Sequence, residues 1–113
     1  MKVLVTRNRQ VSVVHASGRL VLSDGEDVLV GRVRELLEDG ERRLVLHLDG
    51  LTILDSAGVG EIVRCYKEAD ERGAVLKIAL ASEGLIHHLF KRSGLDHALE
   101  VFEAEDDAVA SFF

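Results

Sequence analysis

Valines recur at every second position at the start of the chain, at Val3 and Val5 and again at Val11 and Val13, with the polar residues 7–10 between the two runs. A period of two belongs to a strand with one buried face, and a polar break between two such runs is a turn. The pattern predicts an antiparallel pair of strands, the second continuing through residues 18–22. The period then lengthens. Val28, Leu29, Val33, Leu36 and Leu37 recur at helical spacing, Ser23 and Glu26 have the S-x-x-E spacing of a capping box, and Asp39-Gly40 supplies a stop. A first helix is expected over residues 25–39.

Residues 44–48 form a short run rich in branched side chains with weak alternation, as in a parallel strand buried on both faces, followed by a loop through Gly50. Val59, Ile62, Val63, Tyr66 and Ala69 then face one way, with Glu61, Arg64, Lys67, Glu68 and Glu71 opposite. That is an amphipathic helix over residues 57–72, ending at Gly73. Residues 74–81 read as another strand. Ser82 is the expected N-cap of a third helix carrying Leu85, Ile86, Leu89 and Phe90 and stopping at Gly94. Val101-Phe102 reads as a brief final strand, and Asp106 or Asp107 as the start of a short terminal helix with Ala108, Val109 and Phe112. Strands alternating with helices require crossover connections. The expected fold class is α/β: a mixed sheet of four to five strands, largely parallel with an antiparallel N-terminal pair, packed with about four helices in a single domain over residues 1–113.

Composition narrows the functions this fold would serve. Apolar residues make up 47% and charged residues 30% of the chain, which excludes the composition of disordered proteins. The net charge of −6 comes with scattered cations, so a nucleic acid is not an expected partner. No apolar run approaches the roughly 20 residues of a membrane-spanning helix, and Met1 leads directly into a strand pattern rather than a secretory leader. Cys65 is the only cysteine and falls within a helical pattern, as a small buried thiol. These features point to a cytoplasmic protein.

Ser56 stands between a buried-strand pattern and an amphipathic helix, where its hydroxyl is placed to cap the free N–H groups of the first turn. Its neighbours add a second reading. Asp55 precedes it; Ala57, Gly58, Val59 and Gly60 follow, and each glycine lowers helix stability by up to about 1 kcal/mol relative to alanine. Small residues there would leave a bare, approachable surface. A phosphoryl group on Ser56 would be tolerated locally by the helix N-terminus. It would also set roughly −1.5 to −2 charges beside Asp55 and repel a docked partner.

The enzymatic motifs fail. Leu54 stands where the nucleophile elbow G-x-S-x-G needs its first glycine, and Glu61 and Ile62 follow the glycines where a phosphate loop needs Lys-Ser/Thr. His87 and His88 are adjacent, so they point about 100° apart on a helix and cannot form an i, i+4 metal pair. Glu103, Glu105, Asp106 and Asp107 read as a solvated acidic turn, with a basic partner surface as the alternative. No catalytic, cofactor-binding or metal-binding residue is expected.

The run from Leu44 through Asp55-Ser56-Ala57-Gly58 to Gly60 resembles the central stretch of STAS domains, the bacterial anti-sigma factor antagonists. Weaker similarity extends through Gly18-Arg19-Leu20 and Ser93-Gly94-Leu95, covering nearly the whole chain. The resemblance implies a phosphoacceptor at Ser56 and a partner-binding surface of Asp55, Ser56, Ala57, Gly58, Val59 and Asp24. It implies an anti-sigma factor with serine kinase activity, using ATP and Mg²⁺, as the partner that the unphosphorylated form binds, so releasing the sigma factor. A metal-dependent PP2C-type serine phosphatase would restore that form. Many antagonists carry an acidic residue directly after the G-x-L element; this chain has Val21 there, and Asp24 is expected to take its place. The same resemblance leaves open a scaffold subunit of a stress-signalling assembly, a lipid-transport accessory, a nucleotide-binding module and a weak homodimer.

Overall fold

The computed structural model describes residues 1–22 and 27–113. Strands β1 (Lys2–Asn8) and β2 (Val11–Leu20) form the expected antiparallel hairpin, with Asn8 opposite Val11. Their two-residue turn places both Arg9 and Gln10 at positive φ, as a tight hairpin turn of this length requires. Strands β3 (Arg43–Leu54), β4 (Val75–Ala79) and β5 (Val101–Phe102) continue the sheet in parallel. Among the described residues the strand order is β1-β2-β3-β4-β5, so the expected mixed α/β sheet is the observed one.

Helices α1 (Val28–Glu38), α2 (Ser56–Glu71), α3 (Leu85–Ser93), α4 (Leu95–Ala98) and α5 (Glu105–Ala110) complete the chain. The main core joins α1, α2 and α3 to one sheet face through Leu29, Val33, Ile62, Cys65, Ile86 and Phe90, packed on Val14, Leu46 and Ile78. A smaller core lies on the other face, where Ala108 and Val109 of α5 cover Val11, Val13, Val45 and Ala79. Leu44, Val45 and Leu46 are all fully buried, as the weak alternation of β3 anticipated.

Several boundaries differ from the sequence reading. The capping box of Ser23 and Glu26 and the first turn expected from residue 25 lie outside the described residues. Strand β3 does not end at residue 48: it runs through Gly50 to Leu54 beside the end of β2, with register shifts between His15 and Ser17 and between Gly18 and Arg19. A Cβ on Gly50 would stand 2.8 Å from the Ser17 Cβ, so glycine serves close strand approach there rather than a loop. Ser82 does not cap α3; Gly84 occupies that position with φ 96° and no side-chain bond. Helix α3 stops at Gly94 as expected, a further short helix α4 follows it, and α5 begins at Glu105, one residue before the expected range. Tyr66 is half-exposed rather than part of the buried stripe, and Cys65 is buried in its place.

Candidate functional site

At the C-terminal end of β3 the chain turns directly into α2, and the cap of that helix differs from expectation by one residue. Asp55, not Ser56, is the N-cap: its backbone is extended and its Oδ1 accepts from the Gly58 amide at 2.8 Å. Its Oδ2 accepts from the Leu22 amide at 3.1 Å, tying the end of β2 to the start of α2. These amide donors, Gly58 first and then Leu22, hold the Asp55 carboxyl below its ordinary value. With the cap supplied by aspartate, Ser56 occupies the first helical position and is exposed. Its hydroxyl carries no structural duty in the cap.

The two glycines of this turn have opposite environments. Gly58 is buried, and a Cβ there would stand 2.2 Å from the Leu20 carbonyl oxygen and 2.8 Å from Leu54 Cδ1. Its missing side chain allows α2 to press against the end of β2, where the Leu20 carbonyl also accepts from the Asp55 amide at 3.4 Å. The bare surface expected at Gly58 is therefore a packing contact. Gly60 is exposed, a Cβ there would meet nothing within 4 Å, and it is the glycine that leaves open space. Ala57 and Val59 are partly buried, Val59 against the main core.

Glu61 was expected on the solvated side of α2. It is 5% exposed, and its Oε2 accepts from the Leu29 and Val30 amides at 2.8 and 3.0 Å. Asp27, at the N-cap position of α1, is left-handed with φ 63° and makes no side-chain cap bond. Glu61 therefore caps α1 from a neighbouring helix, satisfying two of the amides that a helix start leaves unpaired. Periodicity could not find this, because it reads a glutamate between apolar positions as a solvent-facing charge. Arg64, one turn on, pairs with Asp27 at 2.7 Å.

A cleft of about 270 Å³ opens beside this turn, lined among the described residues by Val21, Leu22, Asp27, Ala57, Glu61 and Arg64, with Gly58 at its base. Leu22, which lines it, is 64% exposed; Ile53, two residues before Asp55 on β3, is 43% exposed. The structure thus gathers Asp55, Ser56, Ala57, Gly58 and Val59 into one helical turn, with Ser56 its outward-facing member. Asp24, expected to complete that surface, lies outside the described residues. Cys65 is fully buried, and burial pushes its thiol up, away from the reactive thiolate.

Elsewhere, the fold assembles a cluster that sequence spacing did not indicate: His15, His47 and Glu105 bring donor atoms within 4.8 Å of one another. No helix among the described residues is long and apolar enough to cross a membrane.

The family model of the STAS domain matches residues 2–108. Among solved structures the chain is similar to an anti-sigma factor antagonist from Mycobacterium paratuberculosis, at 21% identity and a TM-score of 0.84, over 97% of this chain and 92% of that one. It is similar to the phosphorylated form of the Bacillus cell fate determinant SpoIIAA, at 17% identity and a TM-score of 0.67, over 99% of this chain and 100% of that one. A sulfate transporter family protein from Wolinella succinogenes is also similar, at 18% identity and a TM-score of 0.70, over 94% of this chain and 87% of that one. At these identities the likeness to each structure is one of fold.

Proposed function

Because this chain belongs to the STAS domain family, we propose that it is an anti-sigma factor antagonist switched by phosphorylation of Ser56. The observation that carries this reading is the division of labour at the start of α2: Asp55 makes the cap, and Ser56 is left exposed beside it. Modification of the hydroxyl then breaks no hydrogen bond among the described residues. In the unphosphorylated state the exposed Leu22 beside the turn and the open flank at Gly60 offer an uncharged, unencumbered surface to a partner. A phosphoryl group would place roughly −1.5 to −2 charges one residue from the ionised Asp55 carboxylate. The helix N-terminus offsets that charge locally, while a partner shaped to the uncharged turn must desolvate it or be expelled.

The partner in this scheme is an anti-sigma factor with serine kinase activity that supplies ATP and Mg²⁺. A PP2C-type serine phosphatase resets the switch, and the protein itself acts by binding rather than catalysis. The test is phosphorylation of the purified protein by a cognate anti-sigma kinase. The wild-type chain is expected to take one phosphate and Ser56→Ala none; equal labelling of the alanine variant would place the acceptor elsewhere. Ser56→Asp is expected to weaken kinase binding by tenfold or more. Unchanged binding would instead favour a scaffold role for the domain.

A further inference from the structure

We propose that His15, His47 and Glu105 form a binding site for a divalent first-row transition-metal ion of the zinc type, on the sheet face opposite α1 and α2. His15 on β2 and His47 on β3 are direct neighbours in the parallel register, so their side chains emerge from the same face. Glu105 reaches them from the first position of α5, the helix that covers this face.

The geometry is that of a ligand set. The two Nδ1 atoms lie 3.1 Å apart, and His47 Nδ1 lies 3.4 Å from Glu105 Oε1. A tetrahedral ion with ligands at about 2.0–2.1 Å holds its donors about 3.3 Å apart. Both separations are near that edge length; the His15–Glu105 side is longer, with His15 Nε2 3.8 Å from Glu105 Oε1, and the three residues bring donors within 4.8 Å of one another. Two imidazoles and one carboxylate leave a fourth position for water, the composition of an open zinc site.

Each ligand also has a partner that aims it. His47 Nε2 lies 3.2 Å from Asp49 Oδ2, so an Nε2 proton directed at Asp49 turns the Nδ1 lone pair inward. Asp49 is itself fixed, because its Oδ1 accepts from the Ala81 amide at 2.7 Å. His15 Nε2 lies 2.9 Å from Thr6 Oγ1, which holds its ring in the same sense. Asn8 Nδ2 donates to Glu105 Oε2 at 2.8 Å and leaves Oε1 facing the histidines. In the tautomers with Nε2 protonated toward Asp49 and Thr6, the two Nδ1 lone pairs face each other, with Glu105 Oε1 beside His47 Nδ1. Without an ion, one Nδ1 proton bridges the two imidazoles across 3.1 Å; an ion that displaces it finds outer partners already in place on each ligand, the recurring companion of a metal site. Imidazole donors select zinc-type ions over Mg²⁺ or Ca²⁺.

The test is calorimetric titration of chelator-treated full-length protein with Zn²⁺, with Co²⁺ absorption as a report on coordination. One ion per chain is expected, with the visible Co²⁺ bands of a tetrahedral site. His47→Asn and Glu105→Gln should each weaken binding by tenfold or more. Asp49→Asn, which removes only an aiming partner, should weaken it by about 10-fold. His88→Asn, outside the cluster, should bind as the wild type does. Circular dichroism establishes that each variant is folded, and Glu105→Gln preserves the shape of its side chain. Absence of binding by the folded wild type, or equal binding by folded His47→Asn and Glu105→Gln, would overturn the proposal. Neither readout depends on Ser56 or on a kinase.

Discussion

At the start of α2, a shift of one residue moves the cap from Ser56 to Asp55 and leaves the serine exposed. Asp55 and Ser56 are both good N-cap residues, and local sequence does not choose between them. The Leu22 amide, just past the end of β2, favours Asp55, whose two carboxylate oxygens accept from Leu22 and Gly58 separately and carry the charge that strengthens both bonds. The two glycines separate in the same way. Gly58→Ala drives a Cβ into the Leu20 carbonyl and is expected to destabilise the fold by about 2 kcal/mol or more. Gly60→Ala meets open space and removes backbone freedom from the unfolded chain, so it is expected to stabilise by about 0.5–1 kcal/mol. Urea unfolding of the two variants beside the wild type measures both, and a similar sign for the pair would contradict the packing assigned to Gly58.

Between elements, the link that periodicity hid is the capping of α1 by α2. A buried carboxylate is costly unless hydrogen bonds satisfy it, and Glu61 receives two from amides that α1 would otherwise leave unpaired. Glu61→Ala is expected to cost about 2–4 kcal/mol, because two buried N–H groups lose their acceptor. Glu61→Gln, which keeps one carbonyl oxygen, is expected to cost about half as much. Thermal unfolding monitored by circular dichroism gives the comparison. Hydrogen exchange at Leu29 and Val30 gives the location, since faster exchange confined to those amides identifies the lost cap. The same helices are joined further along by Arg34, whose Nε and Nη2 both donate to Glu68 Oε1, at 3.2 and 2.9 Å.

For the molecule as a whole, carboxylates held below their ordinary values set the response to acid. Asp55 is lowered by its amide donors, Glu41 by the Ser12 hydroxyl and then Arg7, and Glu68 by Arg34. A folded-state value below the unfolded one means that the unfolded chain binds more protons, so these groups add stability above the ordinary carboxylate range of about 4. That stability is lost as pH falls through the lower folded-state values. Tm is therefore expected to be nearly level above about pH 5 and to fall progressively below about pH 4. Asp55→Asn keeps an N-cap acceptor without the titration, so its acid decline should be shallower than that of the wild type. An identical acid profile would show that Asp55 does not contribute. The Ser56 turn lies where β3 joins α2, and the histidine cluster lies on the sheet face that α5 covers.

Patterns with a short range were legible in the chain itself. The period-two runs of β1 and β2, the doubly buried branched run of β3, the helical stripes of α1 to α3 and the brief β5 all follow from periodicity, because burial of one face repeats at the spacing of the element. The position of Ser56 at the mouth of α2 was legible for the same reason. Contacts between residues distant in sequence required the fold. The extension of β3 through Gly50 depends on its pairing with β2, and the cap at Asp55 on an amide 33 residues away. The burial of Glu61 depends on where α1 begins. His15, His47 and Glu105 carry no signature spacing along the chain; parallel pairing of β2 with β3 and the return of α5 across them bring the three together. Hydrophobic period records which face of an element is buried, but a polar side chain finds its partner only when another element arrives beside it.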